Sequence, residues 1–118
     1  MKVNGRLGTK IPLTENKGYC NMFFWNIHGQ KNKIIGNKFT DIEFLNICKN
    51  VDILGIVELH TNEKPSIEGF KLIKDKVRKK IHKGPKLSGG IALFAKAEIS
   101  HTIKYIANEN ENSIWVKL

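Results

Sequence analysis

The chain has 118 residues, with 20 Lys and Arg against 11 Asp and Glu, a formal net charge of +9, and 41% apolar content. That length holds one ordinary domain and excludes two, and the apolar fraction excludes a wholly disordered chain. No apolar run approaches the roughly 20 residues of a membrane-spanning helix, and the positive balance favours a polyanion, nucleic acid before an anionic membrane surface.

Residues 1–19 carry Gly5, Gly8, Pro12 and Gly18 among scattered lysines without a sustained period, which predicts a flexible basic leader ahead of a domain over 20–118. This start has no apolar segment of the secretory type. Met22 to Ile27 is almost uniformly apolar, as in a strand buried on both faces. His28 to Lys38, with Gly29, Gly36 and several Asn and Lys, reads as a loop. Thr40-Asp41-Ile42-Glu43 fits a capping box in which Thr40 caps a helix and Glu43 reaches back. Ile42, Leu45 and Cys48, flanked by Phe44 and Ile47, then give that helix an apolar face through Lys49.

Val51 to Glu58 is a second apolar strand and completes a strand–helix–strand unit. Thr61 to Ser66 is an exposed loop containing Pro65. Phe70 to Val77 predicts a strand with one wet face, and Arg78 to Lys86 a basic loop. Ser88 to Lys96 is a buried strand whose Gly89 and Gly90 permit close backbone approach. Ile99 to Ala107 alternates, with Ile103 and Tyr105 on one face. After a turn at Asn108 to Asn112, Ser113 to Leu118 begins a last strand. Its Trp115, Val116 and Leu118 need neighbours, and the expectation is a domain cut short. Cys20 and Cys48 share no metal-ligand spacing, which predicts reduced thiols in an intracellular protein.

The chemistry concentrates at two strand ends. Asn26 closes the first apolar run and Glu58 the second. Parallel strands joined by a helix bring both residues to one sheet edge, where open α/β sheets bind ligands. An amide and a carboxylate there suit a hard, oxygen-loving cation such as Mg2+. His60 lies close enough in sequence to contact a phosphate, or is an ordinary loop histidine. Lys71, Lys74, Lys76, Arg78, Lys79, Lys80, Lys83 and Lys86 face only Asp75 in their span. Such a surface tracks phosphates rather than reading bases, and without an interleaved aromatic it does not stack them. The plain alternative is a solvated strand face and loop. Ser88 lacks the G-x-S-x-G context of a nucleophile elbow.

Phe24-Trp25-Asn26-Ile27-His28-Gly29, the helix ending in Phe44-Leu45, Val51-Asp52-Ile53 leading to Glu58-Leu59-His60-Thr61, Gly69-Phe70, Ser88-Gly89-Gly90-Ile91-Ala92-Leu93-Phe94 and Ile114-Trp115-Val116-Lys117-Leu118 follow in order. Together they resemble the N-terminal half of an endonuclease/exonuclease/phosphatase domain, most nearly the apurinic-type endonuclease of non-LTR retrotransposons. The resemblance covers roughly residues 22–118. It implies an α/β fold, the first half of a four-layer α-β-β-α sandwich of the DNase I-like type. It also implies Mg2+, or Mn2+ in its place, held by Glu58, with Asn26 as the catalytic amide that holds phosphate or metal. DNA is the implied partner, reached through Lys76, Arg78, Lys79, Lys80, Lys83 and Lys86, in the nucleus and not at a membrane.

The family commonly has Thr after that Glu where this chain has Leu59, so a supporting hydroxyl is lost. Its later Tyr, Asp-x-Asn and Asp-His motifs would fall beyond Leu118. None of His28, His60, His82 and His101 matches the family's phosphate-binding or general-base histidine. The implied activity is therefore phosphodiester hydrolysis by a fragment inactive alone, completed by a missing C-terminal half or a second copy. A non-catalytic nucleic-acid-binding remnant is the alternative. A phosphoesterase of the same fold acting on lipid or inositol phosphates is a weaker one.

Overall fold

The computed structural model describes residues 7–12, 19–32, 36–61, 63–76, 89–110 and 113–118. In chain order the elements are β1 (Leu7–Pro12), β2 (Tyr19–Asn26), β3 (Lys31–Asn32), β4 (Gly36–Asn37), α1 (Ile42–Cys48), β5 (Ile53–Val57), β6 (Phe70–Lys76), β7 (Ile91–Lys96), β8 (Lys104–Ile106) and β9 (Trp115–Lys117). Short 3-10 turns cover Lys38–Thr40 and Ser100–Thr102. The result is a mixed α/β fold built on a mixed sheet, with little helix.

Five strands form the main sheet in the order β1-β2-β5-β7-β6. The predicted strand–helix–strand unit is present: β2 and β5 run parallel, with Met22 opposite Ile53 and Asn26 opposite Val57. The other pairings are antiparallel. The expected leader is corrected over part of its length, because Leu7–Pro12 pairs along β2 from Leu7 opposite Phe24 to Pro12 opposite Tyr19. The free backbone edge of β2 supplies those partners, so β1 needs no apolar period of its own.

Each face of the sheet packs a separate core. On one side Trp25, Leu54, Ile56, Ala92 and Phe94 meet Phe39, Phe44 and Cys48 from the helical layer. The rings of Trp25 and Phe44 lie 4.9 Å apart, and those of Phe39 and Phe44 5.4 Å apart. On the other side Cys20, Met22, Ile53, Leu93 and Ala95 meet Ile103, Val116 and Leu118 beneath the two-stranded β8–β9 ribbon. A bulge between Leu72 and Lys74 sets Ile73 and Lys74 toward the ribbon. Lys74 Nζ then lies 5.1 Å from the centre of the Tyr105 ring.

Two local expectations shift by one residue. The helix is capped by Asp41, whose Oδ2 accepts from Phe44 N at 3.2 Å, while the Thr40 hydroxyl donates back to Asn37 O. The buried helix face is accordingly Phe44 and Cys48, an i,i+4 pair, and Ile42 is 74% exposed. His28 to Lys38 contains a short β3–β4 pairing instead of loop alone. Cys20 and Cys48 are not bridged to each other, and both are buried. Among the described residues no helix is long and apolar enough to cross a membrane.

Candidate functional site

Asn26, Val57, Ile91 and Lys76 stand in one row across β2, β5, β7 and β6, at the carboxyl ends of the parallel pair. The loops beyond that row are stitched to one another. Gly29 N donates to Glu58 O at 2.7 Å and Gln30 N to Leu59 O at 2.8 Å. Leu59 N and His60 N donate in turn to the carbonyls of Gly90 and Gly89, at 3.2 and 2.9 Å. Gly89 and Gly90, expected as packing residues, thus act through their backbone as an anchor for the Glu58 loop.

Three non-glycine residues at this edge have left-handed backbones: His28 at φ +50°, Glu58 at +55° and His60 at +51°. Such conformations cost about 1–3 kcal/mol each and gather where a site requires them. Gly29, at φ +95°, sits against the His60 ring; a Cβ there would stand 3.4 Å from His60 Nδ1. The turn is closed by Asn26, whose Oδ1 accepts from His28 N at 3.0 Å. That use of the oxygen leaves the amide nitrogen as the donor Asn26 can offer a phosphate. The left-handed residue of the turn is His28, not Asn26.

The structure brings Glu58 against a residue the sequence does not single out. His28 Nδ1 lies 3.3 Å from Glu58 Oε2, with the two side chains 62% and 41% exposed. Nothing local in the sequence encodes this contact, which needs the parallel register of β2 and β5. His60 is exposed on the same edge, while His101 sits in the distant 3-10 turn. Lys38 reaches back beneath the site, its Nζ donating to Ile27 O at 2.6 Å. Burial holds the Lys38 ammonium below the usual lysine range. Next to it Gln30 is 4% exposed; its Nε2 donates to Asn37 Oδ1, and its Oε1 has no partner in the structure.

The lysine surface divides. Arg78, Lys79, Lys80, Lys83 and Lys86 lie outside the described residues, as does His82. Lys76 is described: its Nζ donates to Asn108 Oδ1 at 2.7 Å and Asn110 O at 2.7 Å, which ties β6 to the turn before β9.

Among the described residues no group of three or more His, Cys, Asp or Glu is placed to hold a metal ion. One carboxylate at a strand end nevertheless fits the way Mg2+ is often held, by one or two carboxylates with substrate phosphates completing its shell. A groove of about 300 Å3, lined by Leu45, Cys48, Phe70 and Lys96 among others, opens at the opposite end of the sheet. Comparison with known proteins finds no matching family model, curated protein or solved structure.

Proposed function

We propose that this chain carries the first part of a Mg2+-dependent phosphodiesterase site of the apurinic-type endonuclease kind, within a DNase I-like sandwich, with DNA as substrate. One observation carries the reading: Asn26 ends β2 where the parallel register sets it opposite Val57, so that Glu58 follows at the same sheet edge. The strained backbone at His28, Glu58 and His60 supports it, because that strain gathers at one edge of the sheet. The basic segment supports it too, since its flanks, Lys76 and Gly89, adjoin the same row of residues.

In this reading Glu58 holds the divalent cation, which when bound would neutralise phosphoryl charge, an effect worth several kcal/mol. Asn26 donates its amide N–H to a phosphate oxygen. The Lys38 tether to Ile27 O and the Gly29–Glu58 backbone bond fix the loops that carry both groups. General acid–base assistance typically contributes ~10²–10⁴ in rate. None of the described residues occupies the general-base position of the family, so the chain alone binds and positions DNA more than it cleaves it. A nuclear location goes with chromosomal DNA as substrate.

A second reading, a nucleic-acid-binding module without cleavage, is favoured by the His28–Glu58 pair, which occupies the carboxylate. Plasmid nicking and DNA affinity of the purified chain with and without Mg2+, beside Glu58→Ala, separate the two. DNA affinity raised by Mg2+ and lost in Glu58→Ala supports the nuclease half-site, and metal-dependent nicking lost in the variant would show that the chain completes that site by itself. Salt-sensitive DNA binding indifferent to Mg2+ and to Glu58→Ala, without nicking, supports the binding module.

A further inference from the structure

We propose that the outward face of the β8–β9 ribbon is a stacking platform for single-stranded nucleic acid, with Trp115 as the base-stacking ring and Lys104 and Lys117 as phosphate contacts. The platform shares no residue with the Asn26–Glu58 edge, so it stands whether or not that edge holds a metal. The register of the ribbon is the first argument. Lys104 lies opposite Lys117, and Ile106 opposite Trp115. Residues opposite each other share a face of the ribbon, and so do residues two apart in one strand. All four side chains therefore stand on one face, and all four are exposed. Tyr105 and Val116 turn the other way, where Val116 packs in the core with Ile103 and Leu118.

The second argument is what this face carries. Trp115 is 61% exposed and Ile106 47%. A lone exposed apolar side chain is ordinary, but a Trp directly opposite an exposed Ile makes a continuous patch. The charge beside that patch is of one sign. Lys104 and Lys117 face each other, an arrangement that is unfavourable in a sheet, and among the described residues no carboxylate pairs with either. In a chain of net charge +9 the complementary partner is a polyanion.

The third argument selects a single strand among polyanions. An unpaired base has a free π-face to set on an indole, and such stacking tolerates any sequence. In a duplex those faces are already stacked on one another. A ribbon in the major groove instead reads base edges through hydrogen-bonding side chains, whereas the centre of this face is Trp115 and Ile106. The lysines lie two residues along each strand from that pair, about 6.8 Å away, where their long side chains reach phosphates flanking a base on Trp115. The Lys71–Lys86 span has lysines without an aromatic residue; the ribbon has both. An anionic membrane would take a wider apolar face than one Trp and one Ile provide.

The test uses the whole chain with an oligothymidylate of about 12 nucleotides, within the site sizes of single-strand binders, beside a duplex of the same length. Trp25 is only 2% exposed, so quenching of tryptophan fluorescence by the oligomer reports Trp115. Anisotropy of a labelled oligomer gives affinities for Trp115→Ala, Trp115→Phe, Lys117→Glu and, as a charge control at the end of α1, Lys49→Glu. The expected result is quenching by the single strand and little by the duplex. Trp115→Ala should weaken single-strand binding roughly five- to 150-fold, the effect of one stacked base, and Trp115→Phe should recover most of it. Lys117→Glu should weaken binding more than Lys49→Glu does, yet raise the urea midpoint, because it puts an opposite charge across from Lys104. A lysine with a merely structural role would not move affinity and stability in opposite directions. No quenching, equal quenching by strand and duplex, or unchanged affinity in Trp115→Ala overturns the proposal. Quenching by phosphatidylserine vesicles and not the oligomer, or by raised protein concentration alone, gives the face to a membrane or a second copy and overturns it too. Should Trp115→Ala fail to fold, quenching of the unaltered chain and the Lys117→Glu affinity still decide. DNA binding indifferent to Mg2+ and to Glu58→Ala, with Trp115 quenched, would remove the nuclease reading and keep this one.

Discussion

Gly55 of β5 lies directly under the ring of Phe24 on β2: a Cβ added to it would stand 2.6 Å from Phe24 Cδ1 and 2.8 Å from Cε1. The two residues are register partners in the parallel pair that aligns Asn26 with Val57. No real Cβ tolerates that approach, so an added methyl must push the ring away. Phe24 is 42% exposed and has room to turn outward. Gly55→Ala should therefore cost about 1–3 kcal/mol, the range for overpacking, and not unfold the chain. In a Phe24→Ala background the same change should cost much less, because contacting residues are not additive. Urea denaturation of the four proteins measures the coupling; equal costs in both backgrounds would show that the ring is not the constraint.

At the opposite end of β5, Asp52 ties three strands together. Its Oδ2 accepts from Asn21 N at 2.7 Å, its Oδ1 lies 3.7 Å from Lys96 Nζ, and its backbone exchanges bonds with Asn21 and Lys96. Asp52→Ala leaves the Asn21 N–H without its carboxylate and should cost about 1.5–3 kcal/mol, as for hydrogen bonds to charged groups. Asp52→Asn keeps an acceptor oxygen and should cost less. The midpoint of urea unfolding should fall in that order with the slope unchanged.

The parts of the fold legible in the sequence are those written in hydrophobic burial. The apolar runs ending at Asn26 and Glu58 announce the parallel pair, and Ile91 to Lys96 announces the strand against it. The helix is announced as well, but not its rotation. Thr40 and Asp41 can each cap it, and moving the cap by one residue turns the face by about 100°. Only the packing of Phe44 and Cys48 on Trp25 and Phe94 decides for Asp41 and leaves Ile42 in water. The pairing of β1 is invisible because it rests on the open edge of β2 and not on a period in residues 7–12. His28 gives no signal for a similar reason. Its partner Glu58 is 30 residues away, and the left-handed backbone that joins them has no local spelling outside glycine.

Lys76 separates a structural lysine from a nucleic-acid surface. Its hydrogen bonds to Asn108 and Asn110 hold the β8–β9 ribbon against β6 and occupy the ammonium that a phosphate would need. Lys76→Ala should lower stability by about 1.5–3 kcal/mol, the range for hydrogen bonds to a charged group. The salt dependence of DNA binding should stay the same. Neutralising Lys79 and Lys80, by contrast, should reduce the log–log salt slope by about 0.9 for each phosphate that is no longer paired with a lysine. Fluorescence anisotropy across a salt series, paired with urea melts, checks both halves. A fall in slope for Lys76→Ala would place it on the DNA surface.

Cys48 ends α1 on its buried face with 2% exposure, and burial pushes its thiol from an ordinary value of 9.0 up to about 12. The neutral thiol is therefore the form the fold accepts. Because the folded value is raised, its contribution to stability is fully present below pH 9.0 and is lost as pH climbs toward about 12. Stability should decline over that window, and Cys48→Ala should flatten the decline whatever its own cost at neutral pH. Urea midpoints at about pH 8 and pH 10.5 for both proteins measure the difference in slope. Alkylation gives an independent reading: at about pH 8 an iodoacetamide label should enter Cys48 at the rate of unfolding and no faster, since the thiolate is the nucleophile. Equal pH slopes with rapid labelling in the folded state would mean that the thiol is open to water from the groove lined by Leu45 and Phe70.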